Sequence, residues 1–227
     1  MTKIHEFEFR QSRAVITTPM PLIFGIGGVA RSGKDTMGAF LLKKLTRLRF
    51  PCLKVSFAHE VKMDLDPFIR HHFNFSAFTE RDNEKKLLRP MLVAYAEAMR
   101  RNDIMYWIKR AEKRILSAVN NNIIVIITDV RKEVEAKWIK QQGGYLIHLK
   151  RIGLKPADFE EKINDPIIKR LADKKLWWRD FKDPDEIPCK FHINKLFLKN
   201  KWSPYGKFTN VKRQKDLEKN QCKTSPN

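Results

Sequence analysis

Short apolar runs alternate along this chain with segments in which apolar residues recur at helical spacing. The most apolar run, residues 123–129, is rich in β-branched side chains and follows three asparagines. An unalternated run of this kind indicates a central parallel strand that is covered on both faces. Similar runs at residues 21–27 and 145–149, and a weaker one at 52–57, predict three further strands.

Helical periodicity fills the intervals between these predicted strands. It covers residues 36–45, 61–70, 84–119 and 132–142, with a break near residues 101–103 and a predicted loop at 71–76. Strands and helices that alternate in this order predict an α/β fold in which a doubly wound parallel sheet forms the middle of three layers. The helical excess at about 59–119 predicts an insertion beside the sheet.

A glycine loop joins the first predicted strand to the first predicted helix. Residues 28–35 fit the pattern G-x-x-x-x-G-K, with Asp35 where Ser or Thr is usual. Such a loop presents backbone N–H groups to phosphate at a helix N-terminus, and Lys34 adds a point charge. The residues predicted to bind nucleotide phosphates are Gly28, Arg31, Ser32, Gly33, Lys34, Asp35 and Thr36.

Two other interpretations of this loop are weaker. One is a chance glycine turn. The other is a dinucleotide fingerprint at Gly25-x-Gly27-x-x-Ala30, which needs an acidic residue about 20 positions further on. Residues 54–57 offer none.

Asp35 ties the predicted site to a metal. Its carboxylate would repel a bare triphosphate, so either a divalent cation lies between them or Asp35 turns away and Thr36 supplies the hydroxyl. Both alternatives predict Mg²⁺ dependence. Asp129 lies at the C-terminal end of the central strand and is predicted to act near the same metal. With Arg131 and Arg151, it should share the carboxyl edge of the sheet with the loop.

Charge and composition limit the class of protein. The net charge of +20 predicts a polyanionic partner. Part of the excess lies in residues 199–227, where eight Lys or Arg oppose two acids. This tail is predicted either to contact nucleic acid or merely to aid solubility.

No apolar run is long enough for a membrane span, the N-terminus does not resemble a secretory signal, and three cysteines without C-x-x-C spacing argue against disulfides and zinc. We expect a cytoplasmic protein.

The domain organisation follows from the same patterns. We predict an N-terminal extension at residues 1–20, one domain at 21–198 and the basic tail at 199–227. Within the domain, the polar and aromatic region 152–186 is either a lid over the phosphates or a surface insertion, and residues 191–194 predict a last edge strand.

Several segments resemble the phage-type deoxynucleoside monophosphate kinases, a branch of the P-loop kinases. Residues 31–36 are similar to the family loop R-S-G-K-D-T, and Phe57, Ala58 and Lys62 to F-A-x-x-x-K. Residues 128–135 contain a D-x-R-x-x-x-E motif, and segments at 88–90, 95–100 and 106–108 resemble the substrate-side helices. An H-x-S-E motif of many relatives is not seen, and Lys132-Glu133-Val134 replaces F-P-N. The resemblance covers residues 21–151.

The resemblance implies transfer of the γ-phosphoryl group from ATP, with Mg²⁺, to a deoxynucleoside monophosphate. A viral protein working in the host cytoplasm, as a monomer or a homodimer, would fit. Catalysis is then assigned to Lys34, Asp35, Arg131, Arg151 and Arg170, with Arg179 a further candidate. Acceptor binding is assigned to Lys62, Arg89, Arg100, Trp107, Asp129 and Arg131, and the metal to Asp35, Thr36 and Asp129.

Some assignments and functions stay open at this point. Trp107 or Tyr106 either stacks a base or packs in the core, and Arg100 either binds the acceptor or lies on a solvated face. The charge also suits a nucleic-acid-binding P-loop protein or a polynucleotide 5′-kinase. Because the loop does not recognise the acceptor, a kinase of another small phosphorylated metabolite is a third hypothesis.

Overall fold

The computed structural model describes residues 18–19, 21–178 and 202–203. The chain divides into two units, one of Pro21–Phe191 and one of Met1–Met20 with His192–Asn227. In chain order the elements are β1 (Thr18–Pro19), β2 (Ile23–Gly27), α1 (Lys34–Arg47), β3 (Cys52–Val55), α2 (Phe57–Phe73), α3 (Asp82–Asn102), α4 (Tyr106–Asn120), β4 (Ile124–Val130), α5 (Glu133–Gln141), β5 (Tyr145–Arg151), α6 (Phe159–Leu171), β6 (Lys174–Trp178) and β7 (Trp202–Ser203).

The larger unit is built on a five-stranded sheet whose described strands are all parallel, in the order β3-β4-β2-β5-β6. In the other unit, β1 and β7 form a two-stranded parallel ladder. From β2 the chain passes to β3 and β4 on one side of β2, and it later forms β5 and β6 on the other side. The strand order therefore reverses at β2. Ligands in doubly wound sheets bind beyond the carboxyl ends of the strands at this point.

Helices cover both faces of the sheet. On one face α1 lies so close that a Cβ on Gly38 would come within 2.3 Å of Thr128 Cγ2. On the other face, α4, α5 and α6 bury Trp107, Ile139 and Ile168 against alternate residues of β2, β4 and β5. The predicted three-layer α/β fold is therefore confirmed.

An extra residue in β4 changes the direction of its side chains near the carboxyl end. Gly25 pairs with Ile127 and Gly27 with Val130, so three steps along β4 match two along β2. Ile127 and Val130 consequently point into the same core cluster. The side chain of Asp129, between them, therefore does not have to point to the face that strict alternation would give it. Such irregularities commonly redirect a side chain next to a functional site.

The structure differs from the sequence prediction at two places. Helix α2 begins at Phe57 and ends at Phe73, so it is longer than the predicted 61–70 and includes part of the predicted loop. The Ser56 hydroxyl accepts a hydrogen bond from His59 N at 3.1 Å and so caps its start. Residues 174–178 of the predicted lid form β6, the edge strand paired with β5. Whether the rest of 152–186 closes over phosphates stays a prediction.

Several predictions concern residues outside those the structure describes. They include most of the N-terminal extension, the last strand at 191–194, Arg179 and most of the basic tail. Within the described part of the chain, none of the helices combines the length and apolarity that a membrane crossing requires.

Candidate active site

The loop between β2 and α1 has a backbone that requires glycine. Gly28 has φ 138° and Gly33 has φ 89°, both in the region that L side chains rarely adopt. A Cβ on Gly28 would also lie 2.4 Å from the carbonyl oxygen of Leu149. Because the N-cap of α1 is Gly33, no side chain caps the first N–H groups of this helix. They stay available to a phosphate, as the sequence predicted.

Lys34 is buried within this loop. Its ammonium donates hydrogen bonds to the carbonyl oxygens of Gly28 and Val29, both at 2.7 Å. Burial lowers the pKa of Lys34 to about 8, and the nearby charge of Arg131 contributes to the shift. At neutral pH the side chain is therefore still a cation, held at the place where nucleotide phosphates are expected.

Asp35 projects from the first turn of α1 toward the carboxyl edge of the sheet. Its carboxylate accepts a hydrogen bond from the Thr128 hydroxyl at 3.3 Å and lies 3.1 Å from Lys54 Nζ. The Asp35 side chain is 83% exposed, so the ion pair with Lys54 contributes little to stability. The carboxylate can exchange Lys54 for another cation at small cost.

The oxygen donors near the loop suit Mg²⁺. Asp35 and Thr36 are adjacent in the first turn of α1, and carboxylate and hydroxyl oxygens are ligands that this ion accepts. Among the described residues, no group of three or more His, Cys, Asp or Glu forms a metal site by itself. Magnesium in kinases is commonly shared between one or two such side chains and the substrate phosphates. Asp35 and Thr36 fit that arrangement.

Asp129 connects the end of β4 to the start of α2. Its two carboxylate oxygens accept hydrogen bonds from Phe57 N at 2.9 Å and Ala58 N at 2.8 Å. Burial raises the pKa of Asp129, and these two hydrogen bonds oppose the shift. The side chain thus positions α2 against the sheet, and its role toward a metal or the acceptor stays a prediction.

Arg131, two residues beyond Asp129, lies between the loop and helices α5 and α6. Its guanidinium Nη1 donates to Glu161 Oε1 at 3.2 Å, and its backbone N–H donates to Glu135 Oε2 at 2.8 Å. Arg131 also lies close enough to Lys34 to lower the pKa of that residue. Arg151, at the end of β5, donates to the carbonyl oxygen of Arg31 at 3.4 Å. The structure therefore brings both predicted arginines to the loop.

A cavity of about 280 Å³ adjoins this edge of the sheet. The side chains of Lys62, Arg89, Arg100 and Arg131, all predicted to bind the acceptor or take part in catalysis, contribute to its wall. Apolar residues of α2 and α3 form another part, namely Val61, Leu92, Val93 and Ala96. The cavity can thus receive an anionic group at one part of its wall and an apolar group at another.

A second cavity of about 290 Å³ lies beside the first and shares part of its wall. The shared residues are Glu97, Arg100, Lys132 and Glu160. Lys132 bridges Glu97, at 3.2 Å, and Glu160. Arg100 Nη1 donates to Glu97 Oε1 at 2.5 Å, so Arg100 is a paired, half-buried residue and not part of a solvated face.

Trp107 does not line the cavity. It is 2% exposed, packs edge-on against Tyr95 and Tyr106, and donates its indole N–H to the carbonyl oxygen of Ala96 at 3.0 Å. The prediction that it binds substrate was wrong, because the tertiary contacts of α3 and α4 enclose the whole ring.

The structure also contradicts the role that the sequence predicted for Arg170. It is exposed in the last turn of α6, nine residues after Glu161 and hence roughly 14 Å along the helix axis. Just beyond it, Asp173 accepts a hydrogen bond from Leu146 N at 2.8 Å, at the amino end of β5. Because α6 runs antiparallel to the strands, Arg170 lies toward the edge of the sheet opposite the loop. Arg170 is therefore remote from the loop, and its assignment to catalysis is corrected.

Sequence reasoning did not single out Glu97, Lys132 or Glu161 as site residues. Glu161 had one local signal: Asp158 precedes it by three positions, and the Asp158 carboxylate accepts a hydrogen bond from Glu161 N at 2.8 Å. That spacing predicts the start of a helix. It does not predict that the Glu161 side chain would turn back toward the loop.

Glu135 gives the site a pH-dependent contribution to stability. Burial raises its pKa to about 7 from an ordinary value of 4.5, with the charge of Asp129 as a second cause. Between these two values the carboxyl binds a proton in the folded protein but not in the unfolded chain. We therefore expect the free energy of unfolding to fall as the pH rises from about 4.5 to about 7.

Urea unfolding at several pH values tests this expectation. In Glu135→Gln the pH slope of the free energy of unfolding should shrink relative to the native protein. Glu133→Gln, in the same helix turn but paired with Lys137 at the surface, should keep the native slope. Equal slopes in Glu135→Gln and the native protein would contradict the role of this carboxyl.

The fold and the site together define a class. A glycine loop with a buried lysine at the switch point of a parallel sheet, beside a cavity with several cations, is the arrangement of a P-loop phosphotransferase. The sequence profile of the phosphomevalonate kinase family matches residues 26–144, slightly more than half of the chain. The protein belongs to this family. The predicted class is confirmed, whereas the narrower resemblance to the phage-type deoxynucleoside monophosphate kinases is not.

Two solved structures are among those similar to the chain. An APS kinase variant from Mycobacterium tuberculosis is 14% identical, with a TM-score of 0.39, over 79% of this chain and 99% of that one. TT1252 from Thermus thermophilus is 15% identical, with a TM-score of 0.41, over 79% and 97%. Similarity at this level carries no conclusion about the substrate. No curated protein sequence matches the chain.

Proposed function

We propose that the protein transfers the γ-phosphoryl group of ATP to the phosphate of a nucleoside monophosphate. The observation that carries the proposal is the cavity beside the loop, which combines Arg89, Arg100 and Arg131 with an apolar wall from α2 and α3. Forked guanidinium donors suit a terminal phosphate, and an apolar wall suits the flat face of a base. The 280 Å³ volume and the adjoining second cavity leave room for a sugar and a base.

The proposed roles of the residues follow from their positions. The loop amides and Lys34 bind the phosphates of ATP, and Arg131 lies between them and the acceptor cavity. Phosphoryl transfer depends mainly on positioning and charge stabilisation, so cations at this point are what the reaction requires. Mg²⁺, when bound, would neutralise charge on the phosphates, with Asp35 and Thr36 as its protein ligands. Asp129 keeps α2, which forms one wall of the acceptor cavity, in place.

A second candidate is favoured by the family match. Phosphomevalonate is also a phosphomonoester, but it carries a carboxylate in place of a base. The carboxylates of Glu97 and Glu160 already pair with Arg100 and Lys132 in the wall common to both cavities. A carboxylate acceptor that binds Arg100 or Lys132 would have to displace Glu97 or Glu160, whereas a neutral base need not. This difference favours a nucleoside monophosphate over phosphomevalonate as the acceptor.

A coupled ADP-release assay tests the proposal. ATP and Mg²⁺ are supplied with each ribo- and deoxynucleoside monophosphate, with phosphomevalonate, and with a 5′-hydroxyl oligonucleotide. We expect release well above the acceptor-free rate with at least one mononucleotide. Release only with phosphomevalonate would favour the second candidate. Release only with the oligonucleotide would favour a polynucleotide kinase, for which the net charge of +20 is the argument. Lys34→Met serves as the inactive control.

A further inference from the structure

The carboxylate of Glu161 reaches from the first turn of α6 into the phosphate loop. Oε1 accepts a hydrogen bond from the loop amide Ala30 N at 2.8 Å and from Arg131 Nη1 at 3.2 Å. Oε2 accepts one from Ala157 N at 2.9 Å. The Glu161 side chain is only 8% exposed. A buried acid thus accepts charge-assisted hydrogen bonds from two separate parts of the site.

The donors that hold Glu161 are those that a phosphate needs. Backbone N–H groups of a glycine loop and a guanidinium fork are the usual ligands of phosphate oxygens. Lys34 is also close, since the charge of Glu161 opposes the lowering of its pKa. A phosphate bound by Ala30 N and Arg131 would stand beside the Glu161 carboxylate. Two anions at this separation in a shielded site repel one another.

The segment before α6 is attached to the same carboxylate. Ala157 N donates to it, and the Asp158 carboxylate accepts from Glu161 N at 2.8 Å, so residues 157–161 form one hydrogen-bonded turn. Gly153, near the start of the connection from β5, has φ 84°, and a Cβ there would meet no atom within 4 Å apart from its own chain neighbours. The connection between β5 and α6 therefore has open space at Gly153. Its far end is held to the phosphate loop by the hydrogen bonds of the Glu161 carboxylate.

We propose that Glu161 is an internal anion that occupies the phosphate-binding donors of the loop and that nucleotide phosphate must displace. Displacement frees Arg131 for the phosphates and detaches the first turn of α6 from Ala30. Glu161 thereby sets the affinity of the loop for phosphate. The proposal rests on the phosphate loop alone and not on the identity of the acceptor, so it can fail or hold independently of the proposed nucleotide substrate.

Titration calorimetry of the full chain with pyrophosphate, and separately with ATP and Mg²⁺, tests the proposal in the absence of any acceptor. Glu161→Gln keeps the size of the side chain but removes the competing charge. We expect it to bind both ligands roughly tenfold more tightly than the native protein, because the competing charge-assisted hydrogen bonds are weakened. Glu80→Gln, a surface acid paired with Lys85, should bind as the native protein does. Equal or weaker binding by Glu161→Gln would overturn the proposal.

Hydrogen exchange of the native protein provides a test that needs no variant. The amide of Ala157 should be protected without ligand, because it donates to Glu161, and should lose at least tenfold protection when pyrophosphate saturates the loop. The amide of Ala30 should stay protected, since it exchanges one acceptor for another. Unchanged protection of Ala157 at saturation would show that Glu161 stays in place and would overturn the proposal.

Discussion

Replacing Lys34 with methionine is expected to lower kcat for phosphoryl transfer by roughly 10³-fold, the usual order when a preorganised donor to the reacting group is removed. Lys34 is the cation inside the loop, where it now donates to Gly28 and Val29. Methionine keeps most of the aliphatic stem, so the core under α1 stays filled. ADP release measured with the best acceptor of the panel gives the rate.

The fold should survive this change. Burial already lowers the pKa of Lys34, which means that the charged form is costly to keep in the folded protein. Removing it offsets the loss of two hydrogen bonds to loop carbonyls, so the thermal midpoint should move by only a few degrees. Lys44→Ala in the last turn of the same helix is the matched control and should leave turnover unchanged. Turnover close to that of the native protein in Lys34→Met would refute the loop chemistry.

Replacing Arg131 with methionine is expected to lower kcat/KM by roughly 10²- to 10³-fold, since a cation that stabilises the transferring charge is lost. Arg131 lies against Glu161 and lines the 280 Å³ cavity that we propose binds the acceptor. Arg131→Lys keeps the charge but not the planar fork, so it should recover only part of the activity. Rates at saturating and limiting acceptor separate binding from the chemical step.

Arg170→Met is the matched control for Arg131. It removes the same type of side chain from α6, but at the end of the helix that faces away from the loop. Its kcat/KM should equal that of the native protein. If Arg170→Met lost as much activity as Arg131→Met, the placement of the site at the carboxyl edge would be wrong.

Much of the fold could be predicted from local patterns. The β-branched run that became β4 had no alternation, and only a strand buried on both faces tolerates that. The loop at Gly28–Lys34 could be assigned because phosphate binding depends on backbone geometry, which glycine spacing records directly. The end of α2 could not be predicted, because Asn74 with φ 58° terminates it only where the surrounding chain allows a left-handed residue.

The roles of single side chains were less predictable. Arg131 and Asp129 were chosen correctly as edge residues, because parallel strands end at a common edge. Whether Asp129 faces a metal or the amides of Phe57 and Ala58 depends on the extra residue in β4 and on where α2 begins. The helical spacing of Trp107 fits a core residue and a base-stacking residue equally well. Only the packing of α3 on α4 shows that Trp107 lies in the core.

The sequence by itself determined the class of chemistry, since G-x-x-x-x-G-K and the order of strands and helices are local properties of the chain. The tertiary structure decided what surrounds the loop. It placed Arg170 at the far end of α6, paired Arg100 with Glu97, and brought Glu161 onto Ala30 across 131 positions of sequence. Contacts over such separations depend on how helices pack on the sheet, and no local pattern encodes that packing.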